Sequence, residues 1–214
     1  MIEYIVPENI DDRVLAKTAN LLQNGGIAAI PTDTSWSVIC SMNSKEGIKR
    51  LKAISKERDE RLFTLLCSDI SQFGELCNLD NSRFRLIKRL SPGPYVFILK
   101  TLLGTEKALG LRRQEIGVRL PDYSVPLALI NTLGCPLYGI TAKRTMLADE
   151  FGHDPEDLWS EETLFEGGWE LEDIQGIDVI LDPGEDRNRI YSTVLDLCSG
   201  EVQMVRQGAG NWPV

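Results

Sequence analysis

The chain is poor in the groups that most often run enzyme chemistry. Its 214 residues include a single histidine, His153, in a polar, loop-like stretch, so neither a histidine-centred triad nor a zinc site is expected. The five cysteines (Cys40, Cys67, Cys77, Cys135, Cys198) are odd in number and widely scattered. Four sit in or beside apolar runs and read as small buried thiols, not as a disulfide framework or a metal knot. There is no Walker-type loop, no GxGxxG, no HExxH and no paired-cysteine signature. Aromatics make up 7% and do not suggest a platform for single-stranded nucleic acid. No apolar segment follows a basic N-terminus, and no run approaches membrane-spanning length. A cytoplasmic protein without a membrane partner is therefore expected.

A hydrophobic fraction of 43% is that of a globular chain with a substantial core. The net charge of −9 is unevenly spread: fifteen of the 32 acidic residues fall between Thr145 and Asp186, where there is no Lys or Arg. The remainder carries a balance of +6. A basic body with one acidic stretch can hold an anionic ligand, although the stretch can equally serve only to solubilise an excursion. With no linker or repeat visible, a single domain over 1–214 with an acidic excursion at about 145–176 is expected.

Helical spacing marks Ile10–Asn24, a helix opened by Asn43 or Ser44 through Ile54, another from Ser68 or Asp69, a fourth from Asn81, and Ser124–Leu133 closed by Gly134. Strand patterns cover Ile27–Ile30, Trp36–Met42, Leu62–Cys67, Tyr95–Lys100, Ile116–Leu120, Leu137–Thr141, Ile177–Leu181, Ser192–Leu197 and Glu201–Arg206. The interleaving predicts a mixed sheet with helices on its faces. In the acidic stretch Asp154-Pro155 reads as a helix cap, and Leu158, Trp159, Leu164, Phe165, Trp169 and Leu171 are enough to pack against the body.

Five short segments carry candidate chemistry. In Gly25–Cys40, a buried-strand run ends at Pro31 and leads into Thr32-Asp33-Thr34. If extended, this places two hydroxyls on one face with Asp33 opposed; the plainer alternative is a Ser/Thr turn capping its own backbone. Ser55–Arg61 holds six charges in seven residues, and an extended chain there would converge Lys56 and Arg58 as a polyphosphate requires. The alternative is a solvated connection. Arg119, inside the apolar strand Ile116–Leu120, needs an anionic partner, either a structural carboxylate or that of a ligand. Ser192 opens a strand, and Arg206 precedes the flexible Gln207-Gly208-Ala209-Gly210.

Taken in order, GG-IAAI-PTDT, KER, SPGPYVFIL, IGVRLP, TAKR, STVLDL and VRQGAG resemble the YrdC-like family of threonylcarbamoyl-AMP synthases, and within it the YciO-like branch. The resemblance spans about residues 10 to 210. It implies a three-layer, twisted mixed sheet curled around a deep basic cleft. It also implies the joining of L-threonine, bicarbonate and ATP into threonylcarbamoyl-AMP with release of pyrophosphate, upstream of tRNA threonylcarbamoyladenosine modification. Mg²⁺ would arrive with ATP, with no protein-bound metal. By position, Thr32, Thr34, Arg119 and Ser192 would serve the threonine end. Lys56 and Arg58, the catalytic candidates, would grip the phosphates, with Thr141, Lys143 and Arg206 at the nucleotide. Double-stranded RNA or tRNA binding through the basic concavity is implied as well.

Three positions depart from the family pattern. Thr141-Ala142-Lys143 stands where Ser-x-Asn touches the nucleotide, Trp36-Ser37 replaces Tyr-Gly, and Val96 replaces a threonine. The first and third remove polar functions, and departure at Ser-x-Asn is itself a feature of the YciO-like branch. Two classes of function follow. One is a nucleotide-dependent enzyme of threonylcarbamoyl chemistry. The other is a paralogue with little synthase activity that binds ATP, AMP or RNA.

Overall fold

A computed structural model describes residues 1–57, 59–147 and 160–211. Ten strands form one mixed sheet in the order β1-β8-β2-β3-β7-β4-β6-β5-β9-β10. They are β1 Ile2–Tyr4, β2 Ala28–Pro31, β3 Trp36–Ser41, β4 Thr64–Leu66, β5 Tyr95–Lys100, β6 Glu115–Arg119, β7 Leu137–Thr141, β8 Val179–Asp182, β9 Thr193–Asp196 and β10 Gln203–Arg206. The helices are α1 Asp12–Gln23, α2 Lys45–Ser55, α3 Ser71–Leu76, α4 Asn81–Leu90, α5 Leu103–Leu109 and α6 Ser124–Leu133. The pairs β1–β8, β2–β8, β4–β6 and β5–β9 are parallel and the other five antiparallel, so the mixed sheet expected from the interleaved pattern is the one observed.

Local chemistry accounts for most boundaries. Asp11 caps α1 by accepting the Arg13 N–H at 2.7 Å, and the chain leaves the helix through Gly25 at φ 87°, a conformation that favours glycine. Ser44 caps α2 through the Gly47 N–H, and Asp80 caps α4 through the Ser82 and Arg83 N–H groups. The run Ile27–Ile30 is buried on both faces: Ile27 and Ala29 join one apolar cluster while Ala28 and Ile30 join the other.

Two elements were not expected. Strand β1 is only three residues long and exists through its parallel pairing with β8, a partner about 180 residues away in sequence. Helix α5 follows Leu102, whose side chain cannot cap it, and contains Gly104, so its periodicity is poorly marked. Leu62, expected in a strand, ends a 3-10 turn, Glu60–Leu62. Of the acidic stretch, Leu164, Phe165 and Leu171 are buried as expected, but Trp169 is 67% exposed. The Asp154-Pro155 cap, His153, Leu158 and Trp159 lie outside the described residues.

The layering positions the site. Helices α1 and α6 pack together over the β1-β8-β2-β3 half of one sheet face, burying Leu15, Leu22, Ile30, Ile39, Leu129 and Leu181. The same face continues across β7 to β10 without that cover. There Gly139, Thr141, Val96, Ile98, Val194 and Asp196 line a hollow.

Candidate functional site

The hollow has a volume of about 420 Å³ and is walled by β3, β4, β5, β6, β7, β9 and β10 with the 59–62 turn. Seven adjacent strands laid flat would span about 29 Å. Yet Thr34, which leads into β3, stands 3.4 Å from Ser192, which leads into β9 five strands away, so the sheet curls. Its described lining holds four cations, Arg61, Arg119, Lys143 and Arg206, against three carboxylates, Asp59, Glu115 and Asp196.

At its floor is Arg119, whose side chain is 5% exposed. Nη2 donates to Asp33 Oδ1 at 2.6 Å, Nη1 to Ser192 Oγ at 2.7 Å and Thr34 Oγ1 at 3.0 Å, and Nε to the Gly93 carbonyl at 3.4 Å. The anionic partner this buried arginine requires is therefore Asp33, the structural alternative. A guanidinium only donates, so the Thr34 and Ser192 hydroxyls must accept from it. Thr32 gives its own hydrogen to the Ser35 carbonyl, so at the 3.2 Å Thr32–Thr34 contact Thr34 is the donor, and Ser192, 3.4 Å from Thr34, keeps a hydrogen for another acceptor. Burial lowers the Arg119 pKa, with Asp33 opposing. Asp33 Oδ2 is buried and has no hydrogen-bond partner among the described residues.

The Thr32-Asp33-Thr34 segment is a turn, not extended chain. Thr32 Oγ1 accepts from the Thr34 and Ser35 N–H groups at 3.2 Å and donates to the Ser35 carbonyl at 2.6 Å. Thr32 thus caps its own backbone, and that turn points Thr34 at Arg119 and Ser192. Arg187 steadies it by donating to the Thr32 carbonyl at 2.9 Å.

Arg206 donates from Nε and Nη2 to the Ser192 carbonyl at 3.1 and 2.8 Å, with its guanidinium carbon 4.7 Å from the Tyr191 ring centre. Burial pulls its pKa down to about 10; Tyr191 opposes this and nearby Arg119 adds to it. Lys143 is 3% exposed, with Nζ 4.0 Å from Glu57 Oε1. Its pKa is lowered by burial, opposed by Glu57 and reinforced by Arg206. Besides burial, Arg119 lowers the Arg206 pKa and Arg206 lowers that of Lys143, so the hollow holds crowded positive charge that an anion would favour.

A family model described as telomere recombination, covering Sua5, YciO and YrdC, matches residues 20–151. The chain belongs to the Sua5/YciO/YrdC family. It is 31% identical over 209 residues to an uncharacterised protein of Haemophilus influenzae, covering 97% of this chain and 95% of that one. It is 30% identical over 210 residues to the uncharacterised YciO of Escherichia coli, with the same coverage. The crystal structure of E. coli YciO superimposes with a TM-score of 0.79, covering 99% of this chain and 97% of that one. P. abyssi Sua5 complexed with L-threonine shares the fold at a TM-score of 0.81 and 21% identity, over 97% of this chain and 57% of that one. The mouse threonylcarbamoyl-AMP synthase is 24% identical over 189 residues, covering 87% of this chain and 64% of the synthase.

Within this family fold, Arg119, Ser192, Thr141, Lys143 and Arg206 line one hollow, and Thr34 touches two of them. Lys56 does not line it. The extension that would have converged it with Arg58 is absent at Lys56 itself, which is left-handed (φ 55°), closing α2, with its Nζ donating to the Leu147 carbonyl at 2.9 Å. Arg58 lies outside the described residues. Sequence reasoning missed Arg61, which lines the hollow while bound to Asp59 through Nε and Nη2. It also gave no role to Asp33; the need for an anion at Arg119 was legible, but not which carboxylate meets it.

Of the cysteines, expected mostly as buried thiols, Cys40, Cys67 and Cys77 are buried and Cys135 and Cys198 are half-buried; all five are free thiols. Burial pushes Cys40 and Cys77 up to about 12, with Cys135 adding to the effect on Cys40. Among the described residues no group of three His, Cys, Asp or Glu is placed to hold a metal ion, and no helix is long and apolar enough to cross a membrane.

Proposed function

We propose that this chain is a nucleotide-dependent enzyme of the threonylcarbamoyl-adenylate type, acting on L-threonine, bicarbonate and ATP. The observation that carries the reading is the buried knot of Arg119, Thr34 and Ser192, beside Lys143 and Arg206 in the same hollow. Ser192, which accepts from Arg119 while Thr34 donates to Thr32, presents its O–H to the hollow beside the buried guanidinium, which suits a ligand carboxylate.

The threonine amine adds to bicarbonate, releasing water and forming a carbamate. A carbamate oxygen then attacks the α-phosphorus of ATP and pyrophosphate leaves. The nucleophile is itself an anion, so the step needs charge neutralisation and alignment more than a strong base. Lys143, Arg206 and Arg61 supply positive charge along the hollow, and for Lys56, with Arg58, to reach the phosphates Lys56 would first have to give up the Leu147 carbonyl. Mg²⁺ comes bound to ATP. The threonine complex of P. abyssi Sua5 and the mouse synthase support this chemistry at the level of the family.

The test is pyrophosphate release from Mg-ATP by folded protein. Release only when threonine and bicarbonate are both present supports the reading, and none under those conditions ends it. A second reading, a paralogue that binds nucleotide with little turnover, draws on Asp33 already filling part of the Arg119 fork and on Lys143 beside Glu57. It expects ATP binding without pyrophosphate. The same hollow carries Asp59, Glu115 and Asp196, which weighs against double-stranded RNA or tRNA seating its phosphates there.

A further inference from the structure

A second hollow, sharing no lining residue with the first, lies between α2 and α5 and has a volume of about 360 Å³. Lys45, Lys49 and Lys52 follow one another at helical spacing on α2, and Lys107 faces them from α5. Between them lie Ile48 and Leu109, 6% and 1% exposed, with Ala108 half-buried at the edge. Lysine stems can flank such an apolar floor while their ammonium groups stay at the rim.

Lys52 sits 3.6 Å from Glu60, which also accepts the Arg112 N–H at 2.9 Å. The helix places Lys45 and Lys52 about 10 Å apart along its axis. A rim of several cations around an apolar floor is complementary to negative charges flanking an apolar side chain. A nucleic-acid backbone would use the rim and waste the floor.

We propose that this α2/α5 groove is a docking surface for an acidic peptide segment of a partner protein that inserts one apolar side chain between the lysines. Its place outside the nucleotide hollow makes it independent of the activity proposed above.

The experiment uses fluorescence anisotropy with the full chain and three labelled probes. They are an acidic peptide of about twelve residues with a central phenylalanine, the same peptide with serine there, and a double-stranded RNA of equal charge. The phenylalanine peptide should bind about tenfold more tightly than its serine counterpart, because the anchor buries apolar surface. The triple variant Lys45→Glu, Lys49→Glu, Lys107→Glu should lose at least about tenfold in affinity for it. Ala108→Glu, which leaves every lysine in place, should also weaken it and provides a second readout if the triple variant fails to fold. The proposal is overturned if the folded variants bind the phenylalanine peptide as well as the parent does. It is also overturned if RNA is the preferred probe, or if phenylalanine gives no advantage over serine.

Discussion

Replacing Asp33 by alanine removes the one carboxylate paired with Arg119 among the described residues and leaves a guanidinium in a site where the arginine side chain is 5% exposed and the aspartate 13%. At 2.6 Å, with an effective dielectric near 20, the gross attraction is on the order of 6 kcal/mol. The net loss is smaller, because desolvating both groups already offset most of it. Breaking a buried pair from one side costs about 3–5 kcal/mol. Thr34, Ser192 and the Gly93 carbonyl still hold the arginine in the variant, so the low end applies, about 3 kcal/mol.

With a urea slope of about 2 kcal/mol/M, the unfolding midpoint falls by about 1.5 M. Asp33→Asn, which keeps an acceptor oxygen, should lose roughly half as much. Arg119→Met in the Asp33→Ala background should recover part of the loss, because no buried charge then remains unpaired. Equilibrium urea unfolding of the four species provides the cycle. A loss below about 1 kcal/mol for Asp33→Ala, or strict additivity with Arg119→Met, would refute the claim that this pair is buried and coupled.

Other expectations follow from the same geometry. Lys143→Asn should weaken ATP binding about tenfold by removing one buried cation, and titration calorimetry giving an unchanged affinity would dismiss Lys143 as a phosphate ligand. Burial of Asp178 works to raise its pKa, but the Arg50 side chain and the Ile27 N–H, at 2.7 Å, outweigh it and hold the carboxyl below its usual range. The stability this contributes is full above about pH 4 and drains away as pH falls through the folded-state value. Asp178→Asn should therefore flatten the acid limb of a stability-against-pH profile, and an unaltered limb would contradict this. A Cβ at Gly208 would stand 2.2 Å from the Tyr191 carbonyl oxygen and 2.5 Å from the Ser192 carbonyl carbon. Gly208→Ala should destabilise the protein by about 1–3 kcal/mol and lower affinity for threonine by moving Ser192. Wild-type unfolding and binding would show that the segment shifts freely.

Much of the architecture was legible because its signals are local. Four apolar residues before Pro31 read as a strand buried on both faces, and they divide between the two clusters as the pleat requires. The cap at Ser44 and the turn at Gly134 mark helix ends through hydrogen bonds spanning a few residues, whereas the cap at Asp11 sets the start of α1 two residues past the Ile10 expected. The short strand β1 was not legible, since its stability comes from β8 at the far end of the chain. Nor was the shape of the Ser55–Arg61 segment: six charges in seven residues have no periodicity from which to read a left-handed Lys56.

The sequence alone determined that Arg119, in an apolar strand, must meet negative charge, because burying a guanidinium unpaired is too costly. It also determined, through its ordered motifs, the family to which the chain belongs. Only the tertiary structure decided that Asp33 is that charge, that Thr32 turns inward while Thr34 faces Ser192, and that Lys56 stands outside the hollow while Arg61 lines it. The physical reason is range. Burial preference and capping are written within a few residues, whereas an ion pair between positions 33 and 119, closed over by residue 192, exists only once a curled sheet has brought three distant strand ends together.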